Sequence, residues 1–153
     1  MNRFFKVIAD NRKARFDYNI IETYNAGLVL KGTEVKSIRS GKVNLADSFG
    51  RVDKGEIWVY GIHISPYKFD AVSKINPTRP RKLLLESNEI RKLIGGVSQK
   101  GLTIVPLKLF LQGDWVKMEI ALAKAKKTYE KRDVLKKRVI DREVERALSE
   151  RHR

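Results

Sequence analysis

The chain predicts a mainly β fold: a small antiparallel barrel with one inserted helix and a charged C-terminal tail. Three observations carry that expectation. Two pairs of apolar segments are each joined by a short glycine-containing turn, at Asp53-Lys54-Gly55 and Gln112-Gly113. One segment, starting at Ser87, repeats its apolar residues at helical spacing. After Ala123 the apolar pattern gives way to charge. With 153 residues and 42% hydrophobic content, the chain supports one core rather than two.

Taken in order, residues 1–10 read as a segment that packs loosely or frays, and Asn11–Arg15 as a solvated turn. Phe16–Tyr24 is rich in Ile and aromatics and predicts a strand. Asn25-Ala26-Gly27 predicts a turn and Leu28–Lys31 a second short strand. Thr33–Gly41 predicts a short helix, capped by Thr33 and closed by Gly41, with a bent strand as the rival reading. Val43–Val52 and Glu56–Ile64 form the first hairpin. Ser65–Arg81 holds three of the four prolines and reads as a loop, followed by a buried Leu83-Leu84-Leu85 strand.

Ile90, Leu93, Ile94 and Val97 mark a helix over about 87–99, with Ser87 as its cap and Gly101 as its stop. Gly95-Gly96 weakens its middle unless close packing requires them. Leu102–Leu111 and Asp114–Ala123 form the second hairpin. Its last strand turns Val116, Met118, Ile120 and Leu122 inward and Trp115, Lys117, Glu119 and Ala121 outward, facing Thr103, Val105, Leu107, Leu109 and Leu111. Six or seven hairpin-connected strands with one or two helices fit a barrel of the oligonucleotide-binding type, among others. The organisation is a 1–123 barrel and a 124–153 arm and tail. On a helical wheel Ile140, Val144, Ala147 and Leu148 share a face nearly opposite Leu135 and Val139. With no single stripe to dock, the tail reads as disordered when free and helical on a partner.

Charge points to the partner. There are 33 Lys+Arg against 18 Asp+Glu, net +15. From Lys124 onward there are 12 basic and 6 acidic residues, so both parts of the chain are basic. That balance favours nucleic acid first and an anionic membrane second. The chain has no cysteine, and His63 and His152 are too far apart in sequence for a local metal motif. No apolar run nears the length of a membrane span and the start is too short for a signal segment, so a soluble cytosolic protein is expected. No phosphate-binding glycine loop, nucleophile elbow or metal cluster is present, so neither an enzymatic activity nor a cofactor is expected. Asp47, Asp53, Glu56 and Asp70 are scattered acids whose spacing does not demand a metal-dependent nuclease.

Basic clusters recur at Asn11–Arg15, Lys36/Arg39/Lys42, Arg79/Arg81/Lys82, Lys117 and Lys124/Lys126/Lys127/Lys131/Arg132. Each alone is ordinary solvated surface; together they favour RNA. No recognition helix or zinc finger is visible, basic-rimmed barrels suit shaped or single-stranded RNA, and Tyr129 sits among cations where a base could stack.

Four blocks carry a resemblance. They are Asn11-Arg12-Lys13-Ala14-Arg15; Gly32 through Lys42 with Val43-Asn44-Leu45-Ala46-Asp47-Ser48; Asn76 through Leu85; and Ala123 through Arg132. In that order, from about Asn11 to the C-terminus, the chain closely resembles the small protein B (SmpB) family, the bacterial protein partner of transfer-messenger RNA (tmRNA), also called SsrA-binding proteins. The resemblance implies an oligonucleotide-binding-type barrel with flanking helices and a tail unstructured in solution. It implies an adaptor that binds the tRNA-like domain of tmRNA and brings it to stalled ribosomes for trans-translation. The tail would become helical in the empty mRNA channel, near the decoding centre. Aminoacylation and GTP hydrolysis would belong to alanyl-tRNA synthetase and elongation factor Tu.

The expected RNA-binding residues are Asn11, Arg12, Lys13, Arg15, Glu34, Lys36, Arg39, Lys42, Asn44, Arg81 and Lys117, with Glu34 orienting a lysine or accepting a ribose hydroxyl. The expected ribosome-contacting arm is Lys124, Lys126, Lys127, Tyr129, Lys131 and Arg132, with Ile140 in the tail. A monomer is expected, and the rival reading is a general RNA chaperone. Four positions depart from the family pattern. Asn25 replaces a common Glu, Ala125 replaces a glycine between two lysines, Tyr129 stands where His is frequent, and Ile140 stands where some members have Trp.

Overall fold

A computed structural model describes residues 5–67 and 75–151. Asp70, His152 and part of the Ser65–Arg81 loop lie outside the described residues. In chain order the elements are β1 (Phe5–Asp10), α1 (Arg12–Asp17), β2 (Tyr18–Leu28), α2 (Gly32–Arg39), β3 (Val43–Asn44), β4 (Phe49–Asp53), β5 (Glu56–Tyr60), β6 (His63–Ile64), β7 (Arg81–Leu84), α3 (Ser87–Lys100), β8 (Thr103–Gln112), β9 (Trp115–Ala125) and α4 (Thr128–Arg151). Seven strands form one antiparallel sheet in the order β1-β8-β4-β5-β7-β2-β9, and β9 also pairs with β8, so the ladder returns on itself. β3 and β6 form a separate two-stranded sheet. The mainly antiparallel β expectation with flanking helices holds.

Long-range pairing overrides several local readings. Residues 5–10 do not fray: β1 pairs with β8, Phe5 opposite Gln112 and Asp10 opposite Lys108. Asn25-Ala26-Gly27 is no turn. β9 offers a continuous partner to β2 from Ala125 to Lys117, and Ala26, opposite Met118, is fully buried. An eleven-residue strand with a bulge beside Ile21 replaces the expected strand–turn–strand. The expected long strand Val43–Val52 is broken by a turn holding Asp47 at positive φ (63°), leaving β3 to pair with β6 and β4 with β5. The β4–β5 turn has positive φ at Lys54 and Gly55, the backbone that a two-residue hairpin loop requires.

The second hairpin turns at Gly113-Asp114, one residue later than the sequence suggests. Val116, Met118, Ile120 and Leu122 do face the core, but Ala121 is not exposed. It packs with Ala123, Val105, Leu107 and Ala14 in a second cluster under α1. A register shift between Pro106 and Lys108 switches faces, so Ile104 and Leu109 join the main core while Val105 and Leu107 turn to α1. The expected single face of β8 is therefore two faces.

The helices are capped earlier than expected, by two residues at α2 and by one at α3. Lys31 rather than Thr33 precedes α2, and Glu86 rather than Ser87 precedes α3; the N3 carboxylates Glu34 and Glu89 accept the backbone N–H of Lys31 (3.0 Å) and Glu86 (3.2 Å). Gly101 closes α3 in the left-handed conformation (φ 65°).

The Gly95-Gly96 pair now divides. A Cβ on Gly96 would stand 2.8 Å from Leu122 Cδ1 and 2.9 Å from Cδ2, whereas one on Gly95 would meet open space. Close approach to buried Leu122 explains Gly96; nothing in the structure explains Gly95. Gly95→Ala should stabilise by about 1 kcal/mol through helix propensity. Gly96→Ala should be destabilising on balance, since overpacking costs about 1–3 kcal/mol. Urea midpoints of the two variants on opposite sides of the parent would bear this out, and a shared direction would contradict it.

Candidate nucleic-acid interface

α1 begins at Asn11 because that side chain caps it: Oδ1 accepts the Ala14 N–H at 3.1 Å. The Asn11 amide also donates to Pro106 O (2.9 Å) and Leu45 O (3.3 Å), and its backbone N–H donates to Leu107 O (2.7 Å). One residue thus starts α1, satisfies carbonyls at the β8 bulge and holds the segment after β3. Asn11 is itself buried, with its side-chain donors and acceptor all used within the protein, which corrects the expectation that it presents itself to a ligand. What it presents is α1, whose Arg12, Lys13 and Arg15 are exposed. Lys13 forms an ion pair with Asp47, and that hydrogen-bonded partner raises the lysine pKa. Arg15 pairs with Asp10 at 3.2 Å.

α2 is fixed from inside by Glu34. Its carboxylate accepts from Arg79 through Nε (3.2 Å) and Nη2, and from Arg81 through Nε (2.9 Å) and Nη2 (2.7 Å). Arg81, 1% exposed, donates further to Ile62 O (2.7 Å) and Pro77 O (3.0 Å). Burial alone would raise the Glu34 pKa; the Arg79 hydrogen bonds, the Lys31 amide and Arg81 outweigh it and leave it lowered. Burial lowers the Arg81 pKa, and Glu34 offsets part of that. Glu34 and Arg81 are thus corrected from surface contacts to an internal tie joining α2, β7 and the Pro77 segment, and Glu34 orients arginines rather than a lysine.

On the outside of this tie, Lys36 and Arg39 are exposed, with Lys36 Nζ 5.3 Å from the Tyr67 ring centroid. Lys42 and Asn44 follow, exposed, with Asn44 Oδ1 accepting the Ala46 N–H at 2.8 Å. Because Asn11 binds Leu45 and Lys13 binds Asp47, the α1 cations and the α2–β3 cations border one segment, 44–47. Lys117 is not brought to that border. It lies on β9 opposite Gly27 and Phe110, and the β9 residues under α1 are Ala121 and Ala123, about 13–20 Å further along the strand.

Its neighbour across Gly27 is Leu84, half exposed. The Leu-Leu-Leu run hid this, although strand alternation alone puts Leu84 on the face opposite buried Leu83. The exposure of Trp115, 73%, was legible from the same alternation.

The arm is not a free linker at its start. β9 continues through Ala125, opposite Tyr18, and the Lys126 N–H donates to Asp17 O at 2.8 Å. α4 starts at Thr128, with Lys131 paired to Asp17 (3.3 Å), Glu130 accepting from Asn19 (2.9 Å) and Arg138 over the Phe16 ring (5.6 Å). Lys124, Lys127, Tyr129 and Arg132 are exposed, whereas Lys126 and Lys131 are half-buried against the end of α1. Along α4, Leu135, Val139, Ile140, Val144 and Leu148 are each about half exposed.

Among the described residues no group of acids and histidines could hold a metal ion. No described helix is long and apolar enough to cross a membrane.

Comparison with known proteins agrees with this geometry. The family model described as "SmpB protein" matches residues 8–150. An SsrA-binding protein of Carboxydothermus hydrogenoformans (strain ATCC BAA-161 / DSM 6008 / Z-2901) is 54% identical over 147 residues, covering 96% of this chain and 99% of that one. One from Thermosynechococcus vestitus (strain NIES-2133 / IAM M-273 / BP-1) is 55% identical, covering 99% and 100%. A solved structure described as "tmRNA-SmpB: a journey to the center of the bacterial ribosome" is 48% identical with a TM-score of 0.66, covering 78% of this chain and 85% of that one. The chain belongs to the SmpB protein family.

Proposed function

We propose that this protein is a tmRNA-binding adaptor for trans-translation, bringing that RNA to stalled ribosomes. The observation that carries the reading is the bordered pair of cationic elements, α1 and α2–β3, held from beneath by Asn11 and by Glu34 with its arginines. Relatives that match nearly end to end are SsrA-binding proteins, and the similar solved structure pairs SmpB with tmRNA and the ribosome.

In this reading Arg12, Lys13, Arg15, Lys36, Arg39, Lys42, Asn44 and Lys117 meet phosphates and sugars of the tRNA-like domain. Asn11, Glu34 and Arg81 position the members on α1 and α2–β3, while Lys117 stands apart on β9. Lys124, Lys126, Lys127, Tyr129, Lys131 and Arg132 meet the ribosome, with Ile140 giving the tail an apolar contact. The closed strand circuit supports an oligonucleotide-binding-type barrel. The tail is disordered when free and takes the α4 helix in the mRNA channel; its largely exposed surface supports this, since little tertiary packing would hold it in water. The protein is a cytoplasmic monomer without enzymatic activity of its own. Alanyl-tRNA synthetase and elongation factor Tu act on the same RNA.

If about six phosphates are neutralised, log K against log[salt] slopes near −4 to −5. Affinity for the tRNA-like domain measured across a salt series, with bulk structured RNA as competitor, tests this. A flat salt response removes the phosphate-contact reading, and equal competition by any structured RNA favours a general chaperone.

A further inference from the structure

We infer that the outward face of β4, β5 and β7 is a stacking platform for unpaired RNA nucleotides. This rests on the RNA-binding reading above and adds a surface to it. The core-facing positions of β5 are Ile57 and Val59, both fully buried, so Trp58 and Tyr60 point the other way.

Strand register sets their neighbours. Phe49 lies opposite Tyr60, Arg51 opposite Trp58, and Trp58 opposite Lys82. Phe49 and Tyr60 are stacked, 5.6 Å between centroids and 10° between planes, and Phe49 is 42% exposed. Arg51 is exposed, lies 5.9 Å from the Tyr60 centroid, and has no ion pair among the described residues. Lys82 is held by Glu56, and Asp53 ends the strip beside Lys54.

An outward sheet face is usually polar. Here three aromatic rings and an unpaired guanidinium are neighbours, and none of the three rings is fully buried. Flat rings take a base of any identity, and Arg51 supplies a planar cation for a phosphate or a second base. A docked protein would use the same rings, but the net charge of +15 and the unpaired Arg51 favour a polyanion.

The test uses the full chain and two probes, a fluorescein-labelled eight-nucleotide oligoadenylate and the tRNA-like domain of tmRNA. Phe49→Leu, which keeps apolar bulk but loses the ring, and Arg51→Gln should each weaken oligoadenylate binding at least about fivefold. Both should leave tRNA-like-domain affinity within about twofold, and Phe49→Trp should restore oligoadenylate binding. Unchanged oligoadenylate affinity in both variants overturns the platform and leaves a protein-docking face. Parallel loss of both RNAs with a lowered melting midpoint overturns it too, since the ring would then be structural. Failure of the parent chain to bind the tRNA-like domain would instead count against the RNA reading on which this rests.

Discussion

Replacing Glu34 with Ala should destabilise the protein by about 3–5 kcal/mol and weaken RNA binding together with it. The cost is the partner left behind. Arg81 is 1% exposed, and its guanidinium would keep two backbone carbonyls but lose both bonds to the carboxylate. Removing one member of a buried ion pair costs that much because the other charge stays out of water without compensation. Glu34→Gln keeps one acceptor oxygen and should cost less.

The same group sets an acid limit. Its folded pKa is lowered below the ordinary 4.5, so its contribution is fully present above that value. It is lost as pH falls through the depressed folded value. The stability gap between parent and Glu34→Gln, read from urea midpoints, should therefore be steady from about pH 7 to 5 and narrow below pH 4. A gap that widens on acidification would mean that Arg79 and Arg81 do not hold the carboxylate charged.

Ending the chain after Arg132 should leave affinity for the tRNA-like domain nearly unchanged and abolish tagging of stalled products. The break falls where packing stops. Lys126, Glu130 and Lys131 are tied to Asp17, Asn19 and Arg15, while Leu135, Val139, Ile140, Val144 and Leu148 on α4 stay about half exposed. Arg138 over Phe16 is the one ring contact of α4 beyond that point among the described residues. Those exposed apolar residues contribute only when a partner covers them. Ending the chain instead after Ala123 also removes the last pairs of β9 with β2, Ala125 to Tyr18 and Lys124 to Asn19. It should lower stability as well. If truncation after Arg132 weakened RNA binding as much as tagging, the tail would belong to the RNA clamp.

These two predictions rest on features that the sequence exposed unequally. Local pattern sufficed for α3, for the inward face of β9 and for the existence of the two hairpin turns, because period and turn chemistry are written in adjacent residues; it did not set the length of the first hairpin's strands. It failed wherever a distant partner decides. Asn25-Ala26-Gly27 has the composition of a turn, yet nine residues of β9 pair along β2 and carry it through as strand.

The face switch at Pro106–Lys108 is invisible in a strictly alternating run, since a bulge reveals itself only against its partner strand. Asn11 and Arg81 have the residue types of a ligand-facing surface but lie inside the protein. A short basic motif does not say which of its members is turned inward. Burial distinguishes them: Asn11 and Arg81 are inside, whereas Arg12, Lys36 and Lys42 are in solvent. The motif blocks, not the charge, carry the resemblance to the SmpB family.

The arm also reads differently in three dimensions. Ala125 is a paired strand residue, not a hinge, and only Lys126 and Lys127 separate β9 from α4. Any change in the direction of α4 must be taken up at those two residues, with release of the Lys131–Asp17 and Glu130–Asn19 contacts.

Which RNA the protein holds in the cell is decided by purifying it, lightly cross-linked, from its own cells and sequencing the RNA that accompanies it. tmRNA should be enriched far above its share of total RNA, with the cross-links on its tRNA-like domain. An RNA population that simply follows cellular abundance would contradict the adaptor function.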